Sequence, residues 1–301
     1  MKNRYVSLML LFSSFLFGSK ADSSIWGRDL LTHILEYDKE GSLHMGHWFT
    51  LIQSTYVKPM LLFVLVVIPL AFIAHYIIVG PKRFSHKGKS ITMFSLFKRI
   101  NHGIAAISFI IIIPTGIIMI FGSTFGGGAF VRFCKEAHAI AAPLFFLSVI
   151  PMLLTWFSRM IFSPKDDIRW LKILGGYLSK EKKPVPAGMF NMGQKIYFWI
   201  VTLGGLVMIA TSVILYFVDF EIISPLLDYF SLSQIDLLRI SALTHNIIGI
   251  VIVAMFMVHI YMSVFAIEGA YKSMIDGKMH EEEVRILHSS YYKELQEKGE
   301  V

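Results

Sequence analysis

Residues 240–267 read ISALTHNIIGIVIVAMFMVHIYMSVFAI, an apolar run with no Asp, Glu, Lys or Arg and with two histidines, His245 and His259. A hydrocarbon core takes about 20 helical residues to cross, so this run is long enough to span a membrane. The two histidines lie fourteen residues apart. At 100° and 1.5 Å per residue, both rings come within about 40° of one helix face and stand roughly 21 Å apart along the axis. One ring is expected near the outer boundary of the bilayer and the other near the inner.

Four further runs meet the same length test, at about residues 58–79, 101–121, 136–162 and 196–217. Pro69, Pro114, Pro143 and Pro151 fall inside them, which membrane helices tolerate when neighbouring groups satisfy the freed carbonyls. The 301-residue chain is 55% hydrophobic and only 16% charged, against about a quarter charged in soluble domains. Its net charge of +7 does not suggest nucleic acid, because the basic residues punctuate apolar blocks instead of gathering on one face. A single cysteine, Cys134, excludes an internal disulfide, a cysteine-held iron-sulfur cluster and an all-cysteine zinc site.

The front of the chain differs. Residues 1–21 carry Lys2 and Arg4, an apolar stretch from Val6 to Phe17, and Ser19-Lys20-Ala21, the three-part pattern of an export signal; an uncleaved first helix is the other reading. Residues 22–57 mix Trp26, Trp48, Phe49 and Tyr56 with Asp29, Glu36, Asp38 and Glu40. They are expected as short helices of a periplasmic segment, lying at the outer surface or against a partner, or as a polar tether. The connection after the first span holds Lys82, Arg83, Lys87, Lys89, Lys98 and Arg99, and the one after the third holds Lys165, Arg169, Lys172, Lys180, Lys182, Lys183 and Lys195. The opposite connections are poor in basic residues. The positive-inside rule then puts the basic connections and the C-terminus in the cytoplasm and the mature N-terminus outside.

That topology sorts the histidines by depth. His138 enters the third span from outside, level with His245, and His102 opens the second span from inside, level with His259. Two imidazoles per iron at two depths is the arrangement that two stacked haems require, and it leaves neither iron an open position. Hydrogen-bonded core or proton-path rings are the alternative. Gly103, Ala105, Ala106, Ala137, Ala139, Ala141, Ala142 and Gly249 would admit a flat macrocycle, or serve plain helix packing. His75 has no partner at its depth and is expected to be a satisfied or snorkelling residue. Arg132 and Arg239, with Lys135, flank the outer pair, and Lys98, Arg99 and Lys195 the inner. They can meet haem propionates or act as interface anchors.

The segments Lys98-Arg99-Ile100-Asn101-His102, Lys135-Glu136-Ala137-His138, Phe190-Asn191-Met192-Gly193-Gln194-Lys195, and Thr244-His245 running to His259-Ile260-Tyr261-Met262 resemble the cytochrome b, or gamma, subunit of membrane-bound formate dehydrogenases. The likeness covers about residues 97–292. It implies an outer haem b on His138 and His245, an inner haem b on His102 and His259, and a quinone pocket at Asn191, Gln194 and His259. From chemistry alone, Asn191 and Gln194 could hydrogen-bond a quinone carbonyl or cap a helix. The resemblance also implies partners: a periplasmic iron-sulfur subunit and a molybdenum or tungsten catalytic subunit, with menaquinone or ubiquinone as electron acceptor.

The expectation is therefore an all-α integral protein of the bacterial inner membrane, a di-haem four-helix bundle with an additional N-terminal transmembrane helix. The parts are a signal at 1–21, a periplasmic segment at 22–57, a first span at 58–80, the bundle at 97–268 with a cytoplasmic loop at 163–195, and a cytoplasmic tail at 269–301. The extra front span departs from the family's smaller, four-span members. Cytochrome b subunits of nickel-iron hydrogenases or of thiosulfate or polysulfide reductases share the two-haem layout and are the alternative. A haem-free transporter fits less well, since the spans lack a mid-depth Asp or Glu.

Overall fold

The computed structural model describes residue 43 and residues 45–85, 88–216 and 224–301. The export signal, most of the segment before the first span, and His33, His44 and His86 lie outside the described residues.

The five apolar runs form five helices long enough to cross a membrane: α1 (Gly46–Ile78), α2 (Leu96–Ile120), α3 (Gly128–Met160), α5 (Met192–Tyr216) and α7 (Gln234–Ala266). The protein is thus an all-helical multi-pass membrane protein, with side chains such as Leu62, Phe63, Ile110, Leu147 and Leu154 exposed on the spans, as a lipid solvent requires. Proline does not break them: Pro69 sits inside α1 and Pro114 inside α2. Next to Pro114, the Thr115 hydroxyl donates to the carbonyls of Ile111 and Ile112.

α1 begins at Gly46, twelve residues ahead of the apolar run that marks it in sequence. Its first turns contain a π-helical stretch, Ile52–Tyr56. The polar residues there satisfy themselves locally, Thr50 Oγ1 on the Gly46 carbonyl and Ser54 Oγ on the Thr50 carbonyl. α7 also ends in a π-helical stretch, Tyr261–Ala266.

The connection at 163–195 is structured. It holds α4 (Pro164–Ile173), with Pro at its start and a left-handed Leu174 at its end. Asp167 accepts from the Ser163 backbone N–H and forms a buried ion pair with Lys195, Nζ to Oδ2 2.8 Å. A short antiparallel pair, β1 (Ser90–Thr92) and β2 (Lys278–His280), joins the loop after α1 to the tail in the register Ser90↔His280. The small helices α6 (Ser224–Tyr229), α8 (Glu281–Leu287) and α9 (Ser289–Glu297) complete the chain.

The chain divides into two compact units. The first takes in residues up to 62, 106–146 and 207–249; Phe49, Leu215, Leu238, Ala242 and Leu243 form an apolar cluster in it. The second takes in 63–105, 147–206 and 250–301, and its largest cluster gathers Trp156, Phe190, Phe198, Val284 and Leu295. Each unit holds one histidine pair.

Candidate functional site: two imidazole pairs

In the first unit the rings of His138 (α3) and His245 (α7) face each other with centres 6.3 Å apart and planes inclined by 55°. In the second, His102 (α2) and His259 (α7) face each other at 6.2 Å and 55°. The depth argument made these same two pairs. An imidazole nitrogen lies about 1.1 Å from its ring centre and a metal–nitrogen bond is about 2 Å long, so rings on opposite faces of one metal have centres about 6.3 Å apart. Both pairs meet that spacing. Among the described residues no group of three or more His, Cys, Asp or Glu is arranged around a metal. Two protein ligands per site suit an iron whose other four bonds come from a macrocycle.

The rings of the first pair are held by hydrogen bonds. Thr115 Oγ1 lies 3.1 Å from His138 Nδ1, and Thr211 Oγ1 lies 2.9 Å from His245 Nδ1. Each threonine also donates to carbonyls three and four residues back on its own helix, Ile112 and Ile111 for Thr115, Met208 and Val207 for Thr211. With its proton committed to those carbonyls, each hydroxyl accepts from Nδ1–H, which fixes the tautomer and leaves Nε2 as the free lone pair. Gly116 makes room for this ring: a Cβ there would stand 3.3 Å from His138 Cε1.

The second pair is held by contact. Tyr197 stacks on His259, centres 4.5 Å apart and planes 6° from parallel. Nearby, Asn101 Nδ2 donates to the Ser148 carbonyl and packs α2 against α3 one residue from His102. No hydrogen bond to the His102 or His259 ring occurs among the described residues.

At the start of α5, Asn191 and Gln194 form a reciprocal cap. The Gln194 N–H donates to Asn191 Oδ1 (3.0 Å) and the Asn191 N–H to Gln194 Oε1 (2.9 Å), so two helix-end donors are satisfied at once. Asn191 is buried and also bonds the Tyr177 side chain; Gln194 is exposed. Burial, and secondarily Glu283, push the Tyr177 hydroxyl above its ordinary range, so it stays a neutral donor.

The expected propionate partners have other contacts. Arg239 is buried beside Asp236, Nη1 to Oδ1 3.8 Å, and against Gly46. Arg99 donates to the Ile275 carbonyl. Arg132 is half-buried on α3. His75 is satisfied, as its lack of a depth partner suggests: Nδ1 meets Tyr261 Oη at 2.5 Å and Nε2 meets the Tyr177 carbonyl at 2.9 Å.

Sequence reasoning missed Thr115, Thr211, Gly116 and Tyr197. A signal for two of them was present. Tyr197 and Thr211 lie fourteen apart on α5, the interval that also separates the histidines of α7.

Comparison with known proteins gives a consistent picture. The model of the prokaryotic cytochrome b561 family matches residues 93–277. The cytochrome b556(Fdn) subunit of the nitrate-inducible formate dehydrogenase of Escherichia coli is 28% identical over 220 residues, 70% of this chain and 94% of the relative. The formate dehydrogenase cytochrome b556 subunit of Haemophilus influenzae is 26% identical over 200 residues, 65% of this chain and 79% of the relative. The cytochrome b556(fdo) subunit of an E. coli formate dehydrogenase is 24% identical over 218 residues, 70% and 96% of the two chains.

Proposed function

The chain belongs to the prokaryotic cytochrome b561 family, and from that membership we propose that it is the membrane cytochrome b subunit of a formate dehydrogenase in the bacterial inner membrane. The relatives' formate dehydrogenase names support the substrate of the parent complex. The observation that carries the reading is the recurrence of two facing imidazoles, at 6.3 Å and 6.2 Å, in separate units of one chain.

In this reading His138 with His245 and His102 with His259 would hold two haems b. When bound, the haems supply one-electron transfer with no open coordination position for oxygen or substrate. Thr115 and Thr211 orient the first pair of ligands, and Tyr197 holds His259 from its face. The subunit takes electrons on the periplasmic side from an iron-sulfur subunit, itself joined to a molybdenum or tungsten subunit that oxidises formate. It passes them to menaquinone or ubiquinone near the cytoplasmic side, where two electrons and two cytoplasmic protons make one quinol. The positive-inside distribution of Lys and Arg supports that orientation, with the mature N-terminus outside and the C-terminus inside.

The quinone site is placed at Asn191, Gln194 and His259. The cap commits the two carbonyl oxygens of Asn191 and Gln194, so what remains for a quinone carbonyl is an amide N–H. Gln194, on the exposed side, is the donor in this reading. The test is formate-dependent quinone reduction by the purified complex. Gln194→Ala should slow it several-fold with both haem spectra intact, at a stability cost of about 1 kcal/mol for the lost cap. Haem loss in that variant, or an unchanged rate, would contradict the assignment.

A further inference from the structure

α1 lies outside residues 93–277, the part matched by the family. Most of its side chains are exposed, Leu62, Phe63, Leu70 and Ile77 among them. Among its packed residues are Phe49, Val57 and Leu61, which are buried, and Gln53, Phe72 and His75, which are half-buried. Only two of these six residues are polar.

A polar side chain on a membrane span is costly unless paired. Each of these two has a partner on α7, beside a histidine of the imidazole pairs, and His75 also meets the Tyr177 carbonyl through Nε2. In the first unit, Gln53 Oε1 accepts from Asn246 Nδ2 at 2.9 Å; Asn246 is buried and is the residue after His245. Gln53 lies in the π-helical turn of α1, a feature that re-aims side chains within a helix. In the second unit, His75 Nδ1 meets Tyr261 Oη, and Phe72 stacks on the Tyr261 ring with centres 4.1 Å apart and planes at 5°. Tyr261 is two residues past His259 and opens the π-helical stretch of α7. An anchor helix that served only to hold the chain in lipid would need neither polar contact.

We propose that α1 is a strut for the axial ligands, with Gln53 positioning His245 through Asn246 and His75 positioning His259 through Tyr261. Among the described residues neither Gln53 nor His75 bonds a ring of the imidazole pairs; each acts through one neighbour on α7. The inference rests on the two-haem reading of the preceding section. It adds that the two contacts are independent, each governing the haem of its own unit.

The test uses the full-length, haem-loaded protein, the low-temperature electron paramagnetic resonance signal of each low-spin haem, and a redox titration. Signals are assigned with His138→Ala and His102→Ala. Gln53→Leu should shift the largest g value and midpoint of the His138–His245 haem and leave the other unmoved; His75→Leu should do the reverse. Asn246→Leu should reproduce the Gln53→Leu shift, with no further change in the double variant. His75→Gln, which keeps a hydrogen-bonding side chain, should restore most of the wild-type signal. Two unmoved signals in both leucine variants would overturn the proposal. So would a joint shift, or loss of both haems in either leucine variant, which would mark α1 as a general scaffold. A wild-type chain without haem would instead sink the underlying reading, and that result is visible before any variant is made.

Discussion

The two imidazole pairs have nearly the same ring spacing and inclination, yet their surroundings differ in kind. His138 and His245 are each tied at Nδ1 by a threonine whose own proton is spent on its helix backbone. His259 is braced by a stacked tyrosine, and no hydrogen bond reaches either ring of its pair among the described residues. Ring spacing is therefore set by the helices that carry the rings, while the neighbours set tautomer and freedom of rotation. A hydroxyl fixes a tautomer and raises ligand basicity; a ring face fixes only orientation. The second unit also contains the ionisable loop at 163–195 and the tail at 269–301, so the two sites should respond differently to mutation and to pH.

The largest effects come from the ligands themselves. His138→Ala or His245→Ala should abolish one haem and leave the other, halving haem b per chain by pyridine haemochrome assay; His102→Ala or His259→Ala should remove the complementary one. Loss of both from any single change would break the two-site description.

The next effect is confined to the second unit. Burial pushes the Glu283 carboxyl up to about 7 from an ordinary value of 4.5, and its Oε1 has no hydrogen-bond partner among the described residues. Below about pH 4.5 the proton is bound in both folded and unfolded states. Between there and about 7 only the folded state retains it, so stability falls as pH rises through that window, by on the order of 3 kcal/mol, and then levels. Glu283→Gln should flatten the dependence of melting, or of protease protection of the tail, between pH 5 and 8. The spectrum of the His138–His245 haem should not follow this transition.

Smaller effects separate the two kinds of bracing. Thr115→Val and Thr211→Val should weaken haem retention about 10–100-fold at the His138–His245 site, and leave the second site at wild-type level in a haem-transfer assay to an acceptor protein. Tyr197→Leu should do the converse more weakly, by about 1 kcal/mol for a lost ring contact, with a changed line shape for the His102–His259 haem. Equal responses at both sites would erase the distinction drawn here.

Much of this was legible in the sequence, for identifiable reasons. Spans announce themselves because a lipid solvent tolerates few charges, and histidines at membrane depth are rare enough that four can be paired by topology alone. The start of α1 was hidden because Thr50, Gln53 and Ser54 are residue types that ordinarily face water; two of them bond their own backbone and the third meets Asn246. The pairing of Ser90–Thr92 with Lys278–His280 left no trace, since three-residue strands so far apart in sequence have no local periodicity. Thr211 was readable in principle from the fourteen-residue interval shared by α5 and α7, but only once hydroxyls were counted with the histidines, whereas Thr115 follows no such interval. Asn191 and Gln194 show the limit of residue type: an amide pair suited to a quinone is equally suited to a helix cap, and the cap is what their carbonyl oxygens make.

The most direct test of the central claim is haem stoichiometry on the purified full-length chain. The account predicts two haems b per polypeptide, both six-coordinate and low-spin, with neither binding carbon monoxide when reduced. One haem, none, or a carbon monoxide adduct at either site would contradict it.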